Sequence, residues 1–68
     1  MLNEDLKENE AYLIDNIEYS INILNWKIII FYEINDDFYI TYFHIDRELI
    51  NHSDIIRNIE YDILKREI

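Results

Sequence analysis

The sequence predicts a single small α+β domain over residues 1–68, in the order α-β-β-α, with an antiparallel β-hairpin packed with two helices. Three observations support this fold class. Residues 26–45 contain two runs rich in isoleucine and aromatic residues around three polar ones, which is typical of a hairpin. In the segments on either side of the hairpin, apolar residues recur at helical spacing. Half of the residues are hydrophobic, which is too many for a disordered chain.

The segment before the hairpin is predicted to be an amphipathic helix over residues 3–24, ending near residue 22. Asn3 is a suitable N-cap, and the acids that follow it favour the positive end of the helix dipole. At about 3.6 residues per turn, the apolar side chains fall on one side. These are Leu6, Leu13, Ile14, Ile17, Ile21 and Leu24. Residues 19–24 also alternate between polar and apolar side chains, so a short strand is the alternative there.

The hairpin is predicted to consist of a strand over residues 26–34, a turn at residues 35–37 and a strand over residues 38–45. A three-residue loop pairs Ile34 with Phe38, Tyr32 with Ile40 and Ile30 with Tyr42. A two-residue loop would shift this register.

Both faces of the predicted hairpin are apolar. One face of the first strand carries Trp26, Ile28, Ile30, Tyr32 and Ile34. The second face of the hairpin still carries Ile29, Phe31, Tyr39 and Phe43. Either one helix covers each face, or both helices cover one face and a partner chain covers the other. We expect Ile28 and Ile30 to be among the most buried residues, with Ile17 and Ile59 packed near them.

The segment after the hairpin is predicted to begin with a short helical turn over residues 47–51, capped by Asp46. Ser53 is then expected to cap the last helix, from Asp54 to about Glu67. Its apolar stripe contains Ile55, Ile56, Ile59 and Ile63. Arg57, Tyr61 and Leu64 point away from that stripe, which indicates a second contact surface.

The sequence contains no motif for catalysis, so we expect no enzyme, no cofactor and no metal site. His44 and His52 have acids nearby, but they lack the clustered spacing of metal ligands or a catalytic pair. Asp36 and Asp37 suit a turn better than a calcium loop. Without any glycine, a phosphate-binding loop is excluded, and without cysteine there is no thiolate chemistry.

A net charge of −9 at pH 7 argues against direct nucleic-acid or membrane binding and favours a protein partner with a basic surface. The acids of the predicted first helix form a stripe opposite its apolar side, and two tyrosines flank it. The predicted partner-binding residues are therefore Glu4, Glu8, Tyr12, Asp15, Glu18 and Tyr19. An ordinary solvent-facing helix surface is the alternative explanation.

The predicted function is that of a small acidic inhibitor acting as a nucleic-acid mimic. Such a protein blocks a basic nucleic-acid-binding surface of its target, as phage anti-defence (anti-CRISPR-like) proteins and antitoxins do. The abundance of isoleucine, asparagine and tyrosine suits an AT-rich genome, and we expect a cytoplasmic protein. The alternative is a homo-oligomeric structural or adaptor protein, most simply a homodimer, which associates through the exposed hairpin because its edges carry little charge and no proline.

Overall fold

The computed structural model describes residues 2–67, which form a four-stranded antiparallel sheet followed by one helix. The elements are β1 Tyr12–Ile14, β2 Ile17–Leu24, β3 Lys27–Ile34, β4 Asp37–His44 and α1 His52–Arg66. The strands follow one another across the sheet in the order β1-β2-β3-β4. The predicted α-β-β-α order with two helices is therefore wrong, and the observed order is β-β-β-β-α.

The first helix was predicted wrongly because its residues satisfy two periods at once. Ile17, Ile21 and Leu24 follow a helical spacing, but residues 17–24 also alternate as a strand does. Isoleucine and tyrosine favour strands, since their side chains pack well on a pleated surface. β2 also has an apolar strand to pair with, because Tyr19 lies opposite Tyr32 and Ile21 opposite Ile30 in β3. This pairing favours the strand alternative for residues 19–24.

Three two-residue turns connect the strands, at Asp15-Asn16, Asn25-Trp26 and Asn35-Asp36. All six turn residues have positive φ angles between 51° and 68°. That conformation matches the twist of the flanking strands, and Asn and Asp tolerate it better than other residues with a Cβ. The chain thus makes tight hairpins without any glycine.

The turn between β3 and β4 corrects the predicted register. Ile34 pairs with Asp37, and the ladder continues with Tyr32 opposite Tyr39 and Ile30 opposite Thr41. The predicted three-residue loop is wrong, because Asp37 begins the strand instead of completing the turn. A shift of one residue moves every side chain of β4 to the other face.

Helix α1 covers one face of the sheet, here called the inner face, and the core lies between them. The fully buried core residues are Leu6, Tyr19, Ile21, Ile28, Ile30, Tyr32, Ile50, Ile55 and Ile59. The predicted burial of Ile28 and Ile30 is confirmed, and of the two residues expected to pack near them, Ile59 is fully buried and Ile17 packs at the margin of the core. Trp26 departs from the prediction, since 72% of it is exposed.

Asn51 caps α1, so the helix begins two residues before the predicted start. The Asn51 side chain accepts a hydrogen bond from the backbone N–H of Asp54, and the Asp54 carboxylate accepts one from the backbone N–H of Asn51. The predicted helical turn over residues 47–51 is wrong, because these residues follow an irregular path to the cap. In the described part of the chain, α1 falls short of the length and hydrophobicity that a membrane-spanning helix needs.

Candidate functional site

The face of the sheet opposite α1, here called the open face, carries exposed apolar side chains. On β4 these are Phe38, Ile40 and Tyr42, which are 78%, 61% and 57% exposed. Leu13, Leu24 and Phe31 from the other strands are also exposed. Most soluble proteins scatter such residues singly, and a contiguous group indicates an interaction surface. The open face is therefore the strongest candidate for the functional site.

The strand registers arrange the open face in four rows across β2, β3 and β4. In order, the rows are Glu18-Glu33-Phe38, Ser20-Phe31-Ile40, Asn22-Ile29-Tyr42 and Leu24-Lys27-His44. A solvent-open depression of about 250 Å³ spans the first two rows. Its walls include the two glutamates and the apolar side chains of Phe31, Phe38 and Ile40. A partner side chain entering it would meet carboxylates and apolar surface together.

Glu18 and Glu33 lie directly opposite each other in the β2–β3 ladder. Like charges at such a position destabilise a sheet by a few tenths of a kcal/mol up to about 1 kcal/mol. In the described residues, neither carboxylate forms a salt bridge. A cation from outside would turn this repulsion into attraction for both carboxylates.

The opposite end of the open face carries a cationic group. Lys27 lies opposite His44, and its Nζ is 5.1 Å from the centroid of the Tyr42 ring. This cation–π contact keeps the ammonium group over the sheet. The open face is thus negative near the β3–β4 turn and positive near the β2–β3 turn.

Trp26 extends the candidate surface at the β2–β3 turn. Its backbone has a φ angle of 62°, a conformation that costs a residue with a Cβ roughly 1–2 kcal/mol. The side chain is largely exposed and borders a second depression formed by residues 45–48. Residues in a strained, exposed position often serve a binding role, and tryptophan is enriched among the dominant contacts of interfaces.

We expect the Trp26→Gly variant to be more stable than the wild type by about 0.5–1 kcal/mol. Glycine adopts positive φ without steric cost, and Asn25-Gly is the preferred pair for this turn. Thermal melting measures the effect. Trp26→Ala is the matched control, because it also removes the indole but keeps the Cβ, and it should not gain stability. A lower melting temperature for Trp26→Gly would mean that the indole stabilises the fold.

The structure separates the six predicted partner-binding residues. Tyr12 and Tyr19 pair in register on the inner face, with ring centroids 5.6 Å apart, and Tyr19 is only 1% exposed. Glu18 directly precedes Tyr19 in β2 and lies opposite Leu13, so its side chain points to the open face. The acidic helical stripe thus does not exist, because successive residues of a strand face opposite sides.

The other three predicted residues lie away from the open face. Glu4 is exposed in the N-terminal turn, and Asp15 lies in the β1–β2 turn. The Glu8 carboxylate accepts the N–H of Ile23 at 2.7 Å and so shields the edge of β2. Of the six, the open face retains Glu18 alone.

Glu33, Phe38, Ile40 and Tyr42 were not among the residues predicted for the site. The β4 residues were predicted to share a face with Ile30, Tyr32 and Ile34, because the predicted register was wrong by one. The signal that could have found them is Asn35-Asp36, since a pair of such residues favours a two-residue hairpin turn.

Two polar clusters lie between the sheet and α1. His52 donates from Nε2 to the carbonyl oxygen of Asp5 at 2.9 Å, and its Nδ1 accepts the hydroxyl of Tyr19 at 2.5 Å. Burial, and secondarily the nearby Tyr12, raises the pKa of Tyr19 to about 12. This cluster joins the N-terminal segment, the sheet and the helix, and its hydrogen-bonding atoms already have partners.

The second cluster joins Tyr32, Asp62 and Arg66. The Tyr32 hydroxyl donates to Asp62 Oδ2 at 2.5 Å, and Arg66 Nε donates to the same oxygen at 2.8 Å. Burial raises the pKa of Tyr32 to about 12, and the hydrogen bond to Asp62 adds to this. Burial also acts to raise the pKa of Asp62, but the hydrogen bonds from Tyr32 and Arg66 outweigh it and hold that pKa below its usual value.

Both clusters are satisfied internally, so we assign them structural roles. Across residues 2–67, no buried side-chain nitrogen or oxygen lacks a hydrogen-bond partner. Within the same range, no group of three or more His, Asp and Glu side chains is placed to hold a metal ion. The open face therefore remains the best candidate site. In comparisons with known proteins, no family model matches this chain, and neither a curated protein nor a solved structure matches it significantly.

Proposed function

We propose that this chain is a small acidic inhibitor that binds a protein partner with a basic surface, and that the open face is its contact surface. The observation that carries the proposal is the Glu18–Glu33 pair beside exposed Phe31 and Phe38. The pair costs stability in the free protein, and a cationic partner group compensates for that cost. The contact surface predicted on a first helix is thus replaced by a surface on the sheet.

Arginine is the side chain that best fits this surface. Its guanidinium group can donate to two carboxylates at once, and its flat face stacks on aromatic rings. Lysine offers a compact charge but lacks the planar donor geometry. Surfaces that bind nucleic acids are rich in both residues. The proposed target is therefore a cytoplasmic nucleic-acid-binding protein, and the proposed action is to cover its basic surface, without any enzymatic step.

We expect the Glu18→Gln/Glu33→Gln double variant to bind a basic peptide at least tenfold more weakly, about 1.4 kcal/mol. The probe is a synthetic peptide of alternating arginine and tryptophan, and isothermal titration calorimetry gives the affinity. The melting temperature should stay equal or rise slightly, because the variant removes a repulsion between like charges.

The matched control is Glu60→Gln/Glu67→Gln, which changes the net charge by the same amount at exposed positions in α1 and at its C-cap. It should bind the peptide as well as the wild type does. Equal weakening in both variants would show that net charge alone attracts the peptide, and would refute a contact surface on the open face. Unchanged binding in both variants would refute the charge-driven proposal altogether.

A further inference from the structure

The two edges of the sheet are protected very differently. On one side, β1 and the N-terminal segment cover β2: Asn9 N–H donates to the carbonyl oxygen of Ile21 at 3.0 Å, and Glu8 accepts the N–H of Ile23. On the other side, β4 is eight residues long and contains no proline. Among the described residues, Arg66 alone reaches its outer backbone, from Nη2 to the carbonyl oxygen of Ile40 at 3.3 Å.

The outer backbone groups of β4 belong to alternate residues. Ile45 N–H donates to the carbonyl oxygen of Trp26 at 2.8 Å, so the odd-numbered residues turn their backbone groups towards β3. The even-numbered residues Phe38, Ile40, Tyr42 and His44 turn theirs outwards. A long edge strand with such free groups is a template for pairing with another strand.

We propose that β4 pairs in an antiparallel manner with β4 of a second copy of this chain. In this dimer Ile40 lies opposite its own copy on a twofold axis, and Phe38 lies opposite Tyr42 of the partner subunit. The three opposed pairs exchange about six main-chain hydrogen bonds. Two aromatic cross-strand pairs add to the stability of the ladder.

Charge selects both the direction and the register of this pairing. The first end of β4 is acidic, because Asp36 precedes the strand and Asp37 begins it. The other end is cationic, because Lys27 lies opposite His44 there. Antiparallel pairing sets the acidic end of each copy against the cationic end of the other. In the proposed register, Asp36 approaches His44 of the partner subunit. A shift that placed Ile40 opposite Tyr42 would instead bring Asp36 near a second aspartate, Asp46.

The dimer has room for the helices and for Arg66. Strands in a sheet are about 4.8 Å apart, and α1 packs over β3 and β4, so a helix centred between these two strands would lie roughly 10 Å from its copy. That is at or above the usual distance between packed helices. The carbonyl oxygen of Ile40 has two lone pairs, so it can keep Arg66 and also accept a hydrogen bond from the second copy.

Dimerisation through β4 would join two sheets into one continuous eight-stranded sheet. Each open face would then continue into the other through Ile40 and its copy. The dimer does not depend on the proposed inhibitory function, because it forms through backbone groups at the edge and not through the carboxylates of the open face. The two proposals can therefore fail separately.

Single cysteines test the register, since the chain has no cysteine of its own. The Cα atoms of opposed residues in such a pair are about 5.5 Å apart, which a disulfide can span. Ile40→Cys should therefore crosslink to a covalent dimer under mild oxidation at least about tenfold faster than Phe38→Cys, whose copies lie roughly 14 Å apart. Equal rates would indicate random collision and overturn the proposal, as would faster crosslinking of Phe38→Cys.

Sedimentation velocity at micromolar concentration tests the dimer itself. The wild type should sediment as a dimer, and Ile40→Pro as a monomer with an unchanged circular dichroism spectrum. Proline at this position removes an outward N–H and leaves the β3–β4 hydrogen bonds intact. Ile40→Thr is the matched control, because it changes the side chain but keeps the N–H, and it should remain a dimer. A monomeric wild type, or a folded Ile40→Pro dimer, would overturn the proposal.

Discussion

The Ile30→Ala variant should lose about 2–5 kcal/mol of its free energy of unfolding, as large-to-small changes in a packed core do. Ile30 is completely buried at the centre of the sheet, between Ile21 in β2 and Thr41 in β4. A domain of this length has a total stability of roughly 3–10 kcal/mol. The variant should therefore be partly or wholly unfolded at physiological temperature. Chemical denaturation followed by circular dichroism measures the loss.

Leu13→Ala is the control for Ile30→Ala, because Leu13 is 72% exposed on the open face. It should change the free energy of unfolding by no more than about 0.5 kcal/mol. If Ile30→Ala unfolds at the same denaturant concentration as the wild type, the core is not centred on the β2–β3–β4 inner face.

The second large effect is a loss of stability between pH 10 and pH 12. Tyr19 and Tyr32 each have a pKa near 12 in the folded protein, against an ordinary value of about 10. A pKa raised by folding means that the folded state favours the protonated hydroxyl. The resulting stabilisation is complete below pH 10 and is lost as the pH rises through 12. Each tyrosine accounts for roughly 2–3 kcal/mol, so we expect the melting temperature to fall steeply over this range.

Variants separate this effect from the general repulsion between negative charges that increases at high pH. Tyr19→Phe/Tyr32→Phe should be less stable than the wild type at pH 8, since Asp62 and His52 lose their hydrogen bonds, but its stability should decline much less between pH 10 and pH 12. Tyr61→Phe removes an exposed hydroxyl and should retain the wild-type decline. An undiminished decline in the double variant would show that the buried tyrosines do not control alkaline unfolding.

Several elements could be predicted from the sequence because local patterns determine them. β3 is a nearly continuous apolar run of β-branched and aromatic residues, so its position and its buried side were predictable. The isoleucine stripe of α1 identified the second half of the core, although the cap lies at Asn51 and not at Ser53. Asn35 and Asp36 indicated the turn between β3 and β4, whereas the turn at Asp15-Asn16 lies inside the segment that was predicted to be a helix.

The identity of β2 was not determined locally. Its residues fit a helix and a strand equally well in isolation, and the choice depends on β3, which offers both hydrogen bonds and an apolar surface. The set of β4 side chains that points into the core was equally undetermined, since it depends on whether the turn has two or three residues. Both choices follow from pairing between strands, which sequence periodicity does not record.

The sequence by itself determined that the chain is acidic, apolar enough to fold and without a catalytic motif. The tertiary structure alone decided how the acids and the exposed apolar residues are grouped. Glu18 and Glu33 are fifteen positions apart in the chain, yet the antiparallel register places them side by side next to Phe31 and Phe38. The physical reason is that a strand turns successive side chains to opposite faces and the ladder then aligns distant residues, so a surface exists only once the strands have paired.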